Sequence, residues 1–190
     1  GHHMDRKGKY EKGIDYYKQA LSIKIKIKDK TAGYTMGEIG FCYFRLGKVE
    51  DALKYFQMGV DFAKKYNEQG DIGLGTYRIG WYYEDKGNLQ KAMSLYEEAL
   101  SIGERLNDQF LIVQCLFGIC TIYTRVANYP KALEAGKRSI SVATESNDKR
   151  LIAGAYLRVG NIFKAQKDWA SANEMFEKSL EIAKEISHKP

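Results

Sequence analysis

The feature that most constrains this chain is a sequence pattern that recurs about every 40 residues. Each segment begins with a glycine or its equivalent, continues through an aromatic or aliphatic residue and a small residue, and ends in an apolar helix. The segments begin at Gly8, Gly47, Gly87, Ala127 and Lys167. A fixed period of this length is typical of repeat proteins in which each repeat stacks on its neighbours. With 44% hydrophobic residues and two prolines, the composition favours one ordered array.

Small and aromatic residues alternate in register within each repeat. A glycine inside a helix costs about 1 kcal/mol relative to alanine, so we expect close contact between two helices to compensate for it. The small positions are Gly40, Gly80, Cys120 and Gly160, then Ala52, Ala92, Ala132 and Ala172. The aromatic positions are Tyr43, Tyr83, Tyr123 and Phe163, then Phe56, Tyr96 and Phe176, with Gly136 as the exception. We expect the hairpin that contains Cys120 and Gly136 to be the least well packed.

This order of small and aromatic residues resembles the tetratricopeptide repeat, a helical hairpin with a small residue where its two helices touch. The resemblance covers four full repeats and a half repeat formed by Gly8, Tyr10, Gly13, Tyr17 and Ala20. The common form has about 34 residues, and the longer period here is similar to that of kinesin light chains and Rap-type solenoids. The resemblance implies an all-α fold, a right-handed superhelical solenoid of antiparallel helix pairs with about nine helices.

The repeat boundaries predict the domain organisation. Residues 1–4 are interpreted as a remnant of an expression tag, and residues 5–30 as the second helix of a truncated repeat. Residues 31–190 are expected to form four hairpins in one continuous solenoid. Because no polar capping helix follows the last repeat, we expect a fragment of a larger protein.

Local signals mark the helices. Asn88, Asn128 and Asp168 stand where an N-terminal cap is expected, and Pro130 follows at a position that proline tolerates. Residues 23–28 alternate isoleucine and lysine like a strand, but their alignment with the end of another second helix favours a helix. Aromatic residues at framework positions are expected to fill the core. They are Tyr43, Tyr83, Tyr123, Phe163, Trp169 and Phe176.

Charge and reactive residues argue against several classes of function. The net charge is +6, but residues 1–30 hold nine Lys/Arg and four Asp/Glu, so the excess lies on one terminal helix and nucleic-acid binding is disfavoured. No apolar run is long enough to cross a membrane. Cys42, Cys115 and Cys120 form no metal-ligand pattern, and apart from His2 and His3 the one histidine is His188. We therefore expect no catalytic residue, no metal, no cofactor and a cytoplasmic location.

The resemblance also implies where a ligand would bind, because the first helices of successive repeats line the concave groove in this family. The mapped positions are Tyr34, Phe41, Arg45, Tyr77, Arg78, Trp81, Phe117, Thr121, Arg125, Arg158, Asn161 and Lys164. Aromatic and arginine side chains dominate many binding energies. Whether Tyr77 and Trp81 are exposed or packed between repeats is left open by the sequence.

These observations predict a non-enzymatic protein–protein interaction module that binds a peptide or partner segment in the groove. The arginines favour a partner with acidic or carboxylate groups. Two alternatives remain at this stage. The terminal repeats could stack on each other as a homo-oligomeric scaffold, or the array could be the peptide-sensing regulatory domain of a larger signalling or transcription protein.

Overall fold

The computed structural model describes the backbone of residues 2–187 and the side chains of residues 8–187. Gly1 and His188 lie outside the described residues. The side chains of residues 1–4 do too, so the structure does not test their interpretation as a remnant of an expression tag. Within this range the chain forms nine α-helices and no strand. They are α1 (His2–Lys26), α2 (Ala32–Arg45), α3 (Val49–Tyr66), α4 (Gln69–Asp85), α5 (Leu89–Leu106), α6 (Gln109–Arg125), α7 (Tyr129–Glu145), α8 (Lys149–Ala165) and α9 (Trp169–Ser187).

The chain divides into two compact units, Gly1–Glu98 and Ala99–Pro190, and the boundary falls inside α5. In the N-terminal unit, α1 packs on α2, α2 on α3 and α3 on α4, and α2 also contacts α4. In the C-terminal unit, α6, α7, α8 and α9 pack in the same order, and α6 also contacts α8. We call α2, α4, α6 and α8 first helices, and α3, α5, α7 and α9 second helices. That the four hairpins form one continuous solenoid stays a prediction.

Glycines in three first helices lie beneath aromatic rings of their second helices. A Cβ atom at Gly40 would lie 2.6 Å from the Phe56 ring. The same contact joins Gly80 to Tyr96 and, at 2.5 Å, Gly160 to Phe176. Since real Cβ atoms do not approach a ring this closely, a glycine is required, and the contact between helices compensates for its low helix propensity.

In the third hairpin the first helix has a larger residue and the second helix a smaller one than the other hairpins have at these positions. Cys120 takes the small position on α6 and is buried, and Gly136 replaces the aromatic residue on α7. The space above Gly136 is filled by Val159 and Ile162 of α8, at 2.8 and 3.4 Å from a Cβ built there. The next first helix thus occupies part of the space that an aromatic residue would fill, and that this hairpin is the least well packed of the four stays a prediction.

The helix ends follow the predicted caps. The side chains of Asn88, Asn128 and Asp168 accept hydrogen bonds from the backbone amides three residues later, at 3.1, 3.4 and 3.1 Å. Pro130 lies in the first turn of α7. The alternating segment is helical from Ile23 to Lys26, where α1 ends, and Ile27 and Lys28 lie in the turn that follows.

Five of the six framework aromatics are half-buried, less than predicted, and the sixth departs further. Trp169, expected in the core, is 60% exposed at the start of α9. The equivalent residue of the preceding repeat, Tyr129, is half-buried, and its hydroxyl donates a hydrogen bond to the carbonyl oxygen of Ala165 on the following first helix. Trp169 is exposed because no described helix covers the corresponding side of α9.

Every turn between two helices contains one residue in the left-handed conformation. These residues recur 20 positions apart, at Gly47, Asn67, Gly87, Asn107, Ala127, Asn147 and Lys167, with Lys28 before them. Such a residue, followed by an amide that bonds to the carbonyl five positions back, ends a helix and reverses the chain. The Asp168 amide makes this bond to Phe163 at 3.0 Å. The repeat length of 40 residues is thus two helices and two turns of this kind.

Lys167→Gly should stabilise the protein. A side chain in the left-handed region costs about 1–2 kcal/mol, and glycine removes this cost while it increases the entropy of the unfolded chain. We expect the free energy of unfolding in urea to rise by about 0.5 kcal/mol. Gly87→Ala, which makes the opposite change at the equivalent position, should lower it. A loss of stability in Lys167→Gly would contradict this account of the turns.

Two glycine-to-alanine substitutions separate packing from helix propensity. Gly40→Ala places a methyl group against Phe56 and should destabilise the N-terminal unit by about 1–3 kcal/mol. Gly70→Ala meets no atom within 4 Å and should stabilise α4 by about 0.5–1 kcal/mol. Thermal unfolding followed by circular dichroism measures both changes. Equal effects of the two substitutions would show that the glycine contact is not needed.

Candidate functional site

The predicted binding residues all lie on the first helices, and each unit contains half of them. In the N-terminal unit they are Tyr34, Phe41 and Arg45 on α2, with Tyr77, Arg78 and Trp81 on α4. In the C-terminal unit they are Phe117, Thr121 and Arg125 on α6, with Arg158, Asn161 and Lys164 on α8. Spacings of three and four residues place side chains on one side of a helix, which is why the repeat register selected them together.

Trp81 is the centre of an aromatic cluster in the N-terminal unit. Its ring centroid lies 6.1 Å from Phe41, 5.8 Å from Phe44 and 5.0 Å from Tyr77. Trp81 and Phe41 are both half-buried. The question that the sequence left open has a mixed answer, because Trp81 packs against the preceding hairpin and still leaves part of its surface exposed.

Tyr77 has a different environment from Trp81. It is only 3% exposed, and its ring lies 5.6 Å from the buried ring of Tyr96 on α5. A side chain that is enclosed to this extent offers almost no surface to a partner. Tyr77 therefore supports Trp81 through ring contact and does not form part of the accessible surface.

Arg45 of α2 lies at the accessible edge of the cluster and is exposed. Tyr34 is also exposed, at 46%, but it lies about two helical turns before Phe41 on α2. The guanidinium carbon of Arg45 lies 5.6 Å from the ring centroid of Tyr10, and that ring makes an edge contact with Phe41 at 6.4 Å. These contacts hold the Arg45 side chain beside the aromatic cluster while its charge remains in solvent.

Arg78 forms an internal ion pair with Glu38. Its Nη2 atom lies 2.5 Å from Oε1 of Glu38, and the two side chains are 11% and 16% exposed. A Cβ atom at Gly37 would lie 2.4 Å from Nη1 of Arg78, so the guanidinium packs directly on the backbone of α2. The pair joins the first helices of two successive repeats, and it leaves Arg78 little charge to offer a ligand.

Other polar groups surround this ion pair. Burial and, next, the negative charge of Glu38 raise the pKa of the Tyr34 phenol. Burial also raises the pKa of the Asp71 carboxyl, and the carboxylate of Glu68 adds to this effect, while the backbone amide of Tyr34 and the charge of Arg78 oppose it. The positive charge of Arg78 therefore acts on Asp71 as well as on Glu38.

Sequence reasoning missed the roles of Glu38 and Tyr10. Glu38 precedes Arg78 by one full repeat, so an acidic residue and a basic residue occupy the same register position in consecutive repeats. That coincidence was a usable signal, because equivalent residues of neighbouring first helices face each other in a stacked array. No comparable signal pointed to Tyr10, whose contact depends on how α1 packs on α2.

In the C-terminal unit five of the six predicted residues are polar, and Phe117 is the exception. Phe117 is 8% exposed, and the guanidinium carbon of Arg158 lies 5.4 Å from its ring centroid. Arg158 also donates a hydrogen bond to the hydroxyl of Thr121 at 3.4 Å. Arg125, Asn161 and Lys164 are exposed. Among the described residues, no carboxylate forms an ion pair with Arg158 or Lys164.

Reactive groups are enclosed in the helices. Burial raises the pKa of the Cys115 and Cys120 thiols to about 12, so these residues are protonated and inert at neutral pH. Within residues 8–187, no three His, Cys, Asp or Glu side chains are arranged to hold a metal ion. None of the helices described here is long and apolar enough to cross a membrane.

Arg78→Met should destabilise the N-terminal unit by about 3 kcal/mol, because it leaves the buried carboxylate of Glu38 without its partner. The double variant Glu38→Gln, Arg78→Met should recover most of that loss. Urea unfolding at neutral pH measures both. The matched control is Lys178→Met at the exposed pair with Glu174, where we expect a loss below about 0.5 kcal/mol. Equal losses at the two pairs would contradict the internal role of Arg78.

Solved structures with a similar fold come from several kinds of protein. BtubC (BKLC) from P. vanneervenii superposes with a TM-score of 0.76 at 14% identity, over 98% of this chain and 78% of that one. A Rap protein in complex with competence and sporulation factor has a TM-score of 0.69 at 21% identity. This chain covers 92% of its own length in that match and spans 59% of the Rap protein. A putative kinesin light chain from Podosopora anserina has a TM-score of 0.64 at 13% identity, over 97% and 92% of the two chains.

Sequence comparison gives the family. No curated protein has a sequence that matches this chain. The model of the tetratricopeptide repeat matches residues 32–105 and 111–185, and a second model of the same repeat matches residues 5–24. These matches cover all four hairpins and part of α1, and the nine helices of residues 2–187 have the fold that the repeat pattern predicted. The chain belongs to the tetratricopeptide repeat family.

Proposed function

We propose that this chain is a non-enzymatic interaction module that binds a protein or peptide segment on the exposed surface of its first helices. The observation that carries the proposal is the aromatic cluster of the N-terminal unit. Phe41 and Trp81 leave part of their rings in solvent, and the exposed Arg45 lies over Tyr10, whose ring contacts Phe41. Tyr34 is exposed nearer the start of α2. Aromatic rings next to an arginine are the side chains that contribute most to protein recognition.

The charges of this surface favour an acidic partner. Arg45 is exposed and fixed over the ring of Tyr10, so it loses little freedom when it pairs with a carboxylate. Arg78 does not add to this charge because Glu38 neutralises it. The proposed ligand of the N-terminal unit therefore combines an apolar side chain, which packs against Trp81, with a carboxylate that reaches Arg45.

The C-terminal unit has a second exposed surface that also favours an acidic partner. Asn161 and Lys164 lie one turn apart on α8, and Arg125 is exposed on α6. An asparagine side chain can donate to and accept from one peptide unit, and a lysine attracts a carboxylate. This unit is proposed to bind the backbone and acidic side chains of a segment, with less apolar contact than the N-terminal unit provides.

The structural neighbours support a binding role for the array. The Rap protein was solved in complex with competence and sporulation factor, and a signal transduction ATPase from Pyrococcus horikoshii contains a tetratricopeptide repeat sensor. The ATPase has a TM-score of 0.68 at 20% identity, and this chain spans 27% of it. By analogy of fold, the chain is proposed to act as the recognition part of an assembly.

Selection from a random peptide library tests the proposal, with binding of the enriched peptides measured by fluorescence anisotropy. The enriched sequences should contain acidic residues and at least one aromatic or aliphatic residue. The double variant Tyr34→Ala, Arg45→Glu should weaken binding of such a peptide by about tenfold or more, because it removes exposed contacts without opening the core.

The matched control is Met58→Ala, Lys54→Glu, which changes an exposed apolar residue and an exposed lysine on the second helix α3. This variant should bind as the parent protein does. Enrichment of no peptide, or equal losses in the two double variants, would refute binding at the first helices of the N-terminal unit.

A further inference from the structure

The guanidinium of Arg78 lies against the aromatic cluster as well as against Glu38. Its central carbon is 6.0 Å from the ring centroid of Phe41, within the range of a cation–π contact. Phe41 belongs to α2 and Arg78 to α4, so this contact joins the two first helices at the ring that also packs against Trp81. The ion pair and the aromatic cluster are therefore parts of one connected set of side chains.

A missing side chain in α2 leaves room for the guanidinium. Gly37 precedes Phe41 by about one helical turn. The equivalent residues of the later repeats are all larger, and they are Tyr77, Phe117 and Leu157. A Cβ atom at Gly37 would lie 2.4 Å from Nη1 of Arg78. A side chain at this position would therefore displace the guanidinium from its place beside the Phe41 ring.

Glu38 fixes the direction of the Arg78 side chain. Its Oε1 atom accepts a hydrogen bond from Nη2 at 2.5 Å, while Nη1 faces the backbone at Gly37. The two charged side chains are only 11% and 16% exposed, so water competes little for the pair. A planar group that is bonded at one nitrogen and packed at another has little freedom to turn away from the ring beside it.

The C-terminal unit contains a contact of the same kind. Arg158 of α8 lies over Phe117 of the preceding first helix, and its guanidinium carbon is 5.4 Å from the ring centroid. The polar partner there is the hydroxyl of Thr121, at 3.4 Å, instead of a carboxylate. An arginine that reaches back over a phenylalanine of the preceding first helix thus occurs in both units, which indicates a feature of the repeat rather than an isolated contact.

The Phe41 ring is held between side chains of α1 and α4. The ring centroid of Tyr10 lies 6.4 Å away and that of Trp81 lies 6.1 Å away. Phe41 and Trp81 both keep part of their surface in solvent, whereas Arg78 is only 9% exposed. Arg78 therefore acts on the accessible rings from the interior and offers almost no surface of its own.

We propose that Arg78 is a positioning residue of the N-terminal binding surface. Its guanidinium, oriented by Glu38, holds the Phe41 ring beside Trp81, so that both rings contact the apolar side chain of a bound segment. Rings that are held in place before binding lose less entropy when the segment arrives. This inference rests on the proposed function, in which that segment packs against Trp81.

The variant Glu38→Gln, Arg78→Met separates positioning from stability, because it removes both charges of the pair together. Its unfolding in urea should stay close to that of the parent protein. Its affinity for an enriched peptide, measured by fluorescence anisotropy, should fall by about fivefold or more. The matched control is Glu174→Gln, Lys178→Met, which removes an exposed pair on α9 and should bind the peptide as the parent protein does.

A second variant moves the guanidinium without removing either charge. Gly37→Ala places a methyl group where Nη1 of Arg78 lies, so it should also weaken peptide binding by about fivefold or more. Its matched control is Gly70→Ala, which meets no atom within 4 Å and should leave the affinity unchanged. A purely structural role of Arg78 would change the affinity only in variants that have also lost stability.

The position of Trp81 is measured without any ligand. In a Trp169→Phe background Trp81 is the single tryptophan, so quenching of fluorescence by acrylamide reports how accessible its ring is. Quenching should increase in Glu38→Gln, Arg78→Met, because the Phe41 ring is no longer held beside Trp81.

An unchanged affinity in Glu38→Gln, Arg78→Met or in Gly37→Ala would overturn the inference, and so would losses of equal size in the two controls. If the library yields no peptide, the proposed function has failed by itself. The quenching measurement then tests the positioning role alone, and equal quenching in the variant and the parent protein would refute it. Failure of this inference is therefore distinguishable from failure of the proposed function.

Discussion

The contact between a glycine of a first helix and an aromatic ring of its second helix is the constraint on which the rest of the structure depends. The ring of Phe56 or Tyr96 can approach the opposite helix this closely only where no Cβ is present. This contact determines how closely the two helices approach, and therefore where the next first helix can pack. The third hairpin lacks this contact, and Val159 and Ile162 of the neighbouring repeat lie against Gly136 instead.

The residues equivalent to Glu38 in successive repeats differ in charge, although they occupy the same register position. At this register position the chain has Glu38, Arg78, Gly118 and Arg158. The first two neutralise each other within the N-terminal unit. Arg158 instead lies over a phenylalanine ring and keeps its charge accessible. The same register position thus has an internal ion pair in one unit and an accessible charge in the other, because the partner of each residue lies in the repeat before it.

Recognition in this protein is expected to depend on which first-helix residues remain exposed after the repeats stack. Tyr77 and Trp81 are one turn apart, yet the first is enclosed by Tyr96 and the second keeps part of its ring in solvent. Burial of Tyr77 fixes Trp81, and Tyr10 fixes Arg45. Side chains that are held in place before binding lose less entropy when a partner arrives. The proposed binding surface is therefore supported by residues that do not themselves touch a ligand.

The sequence by itself determined the helices, their hairpin pairing and the family, because period, glycine spacing and caps at residues such as Asn128 are local signals that recur in register. The same register selected the helix surface on which the candidate site lies. Exposure was decided by tertiary structure. Tyr77 and Arg78 proved to be buried, and Trp169 exposed, because solvent access depends on what the neighbouring helix places opposite each residue. A pattern repeated along one chain predicts which residues share a surface, but only the packed helices show which of them a partner can reach.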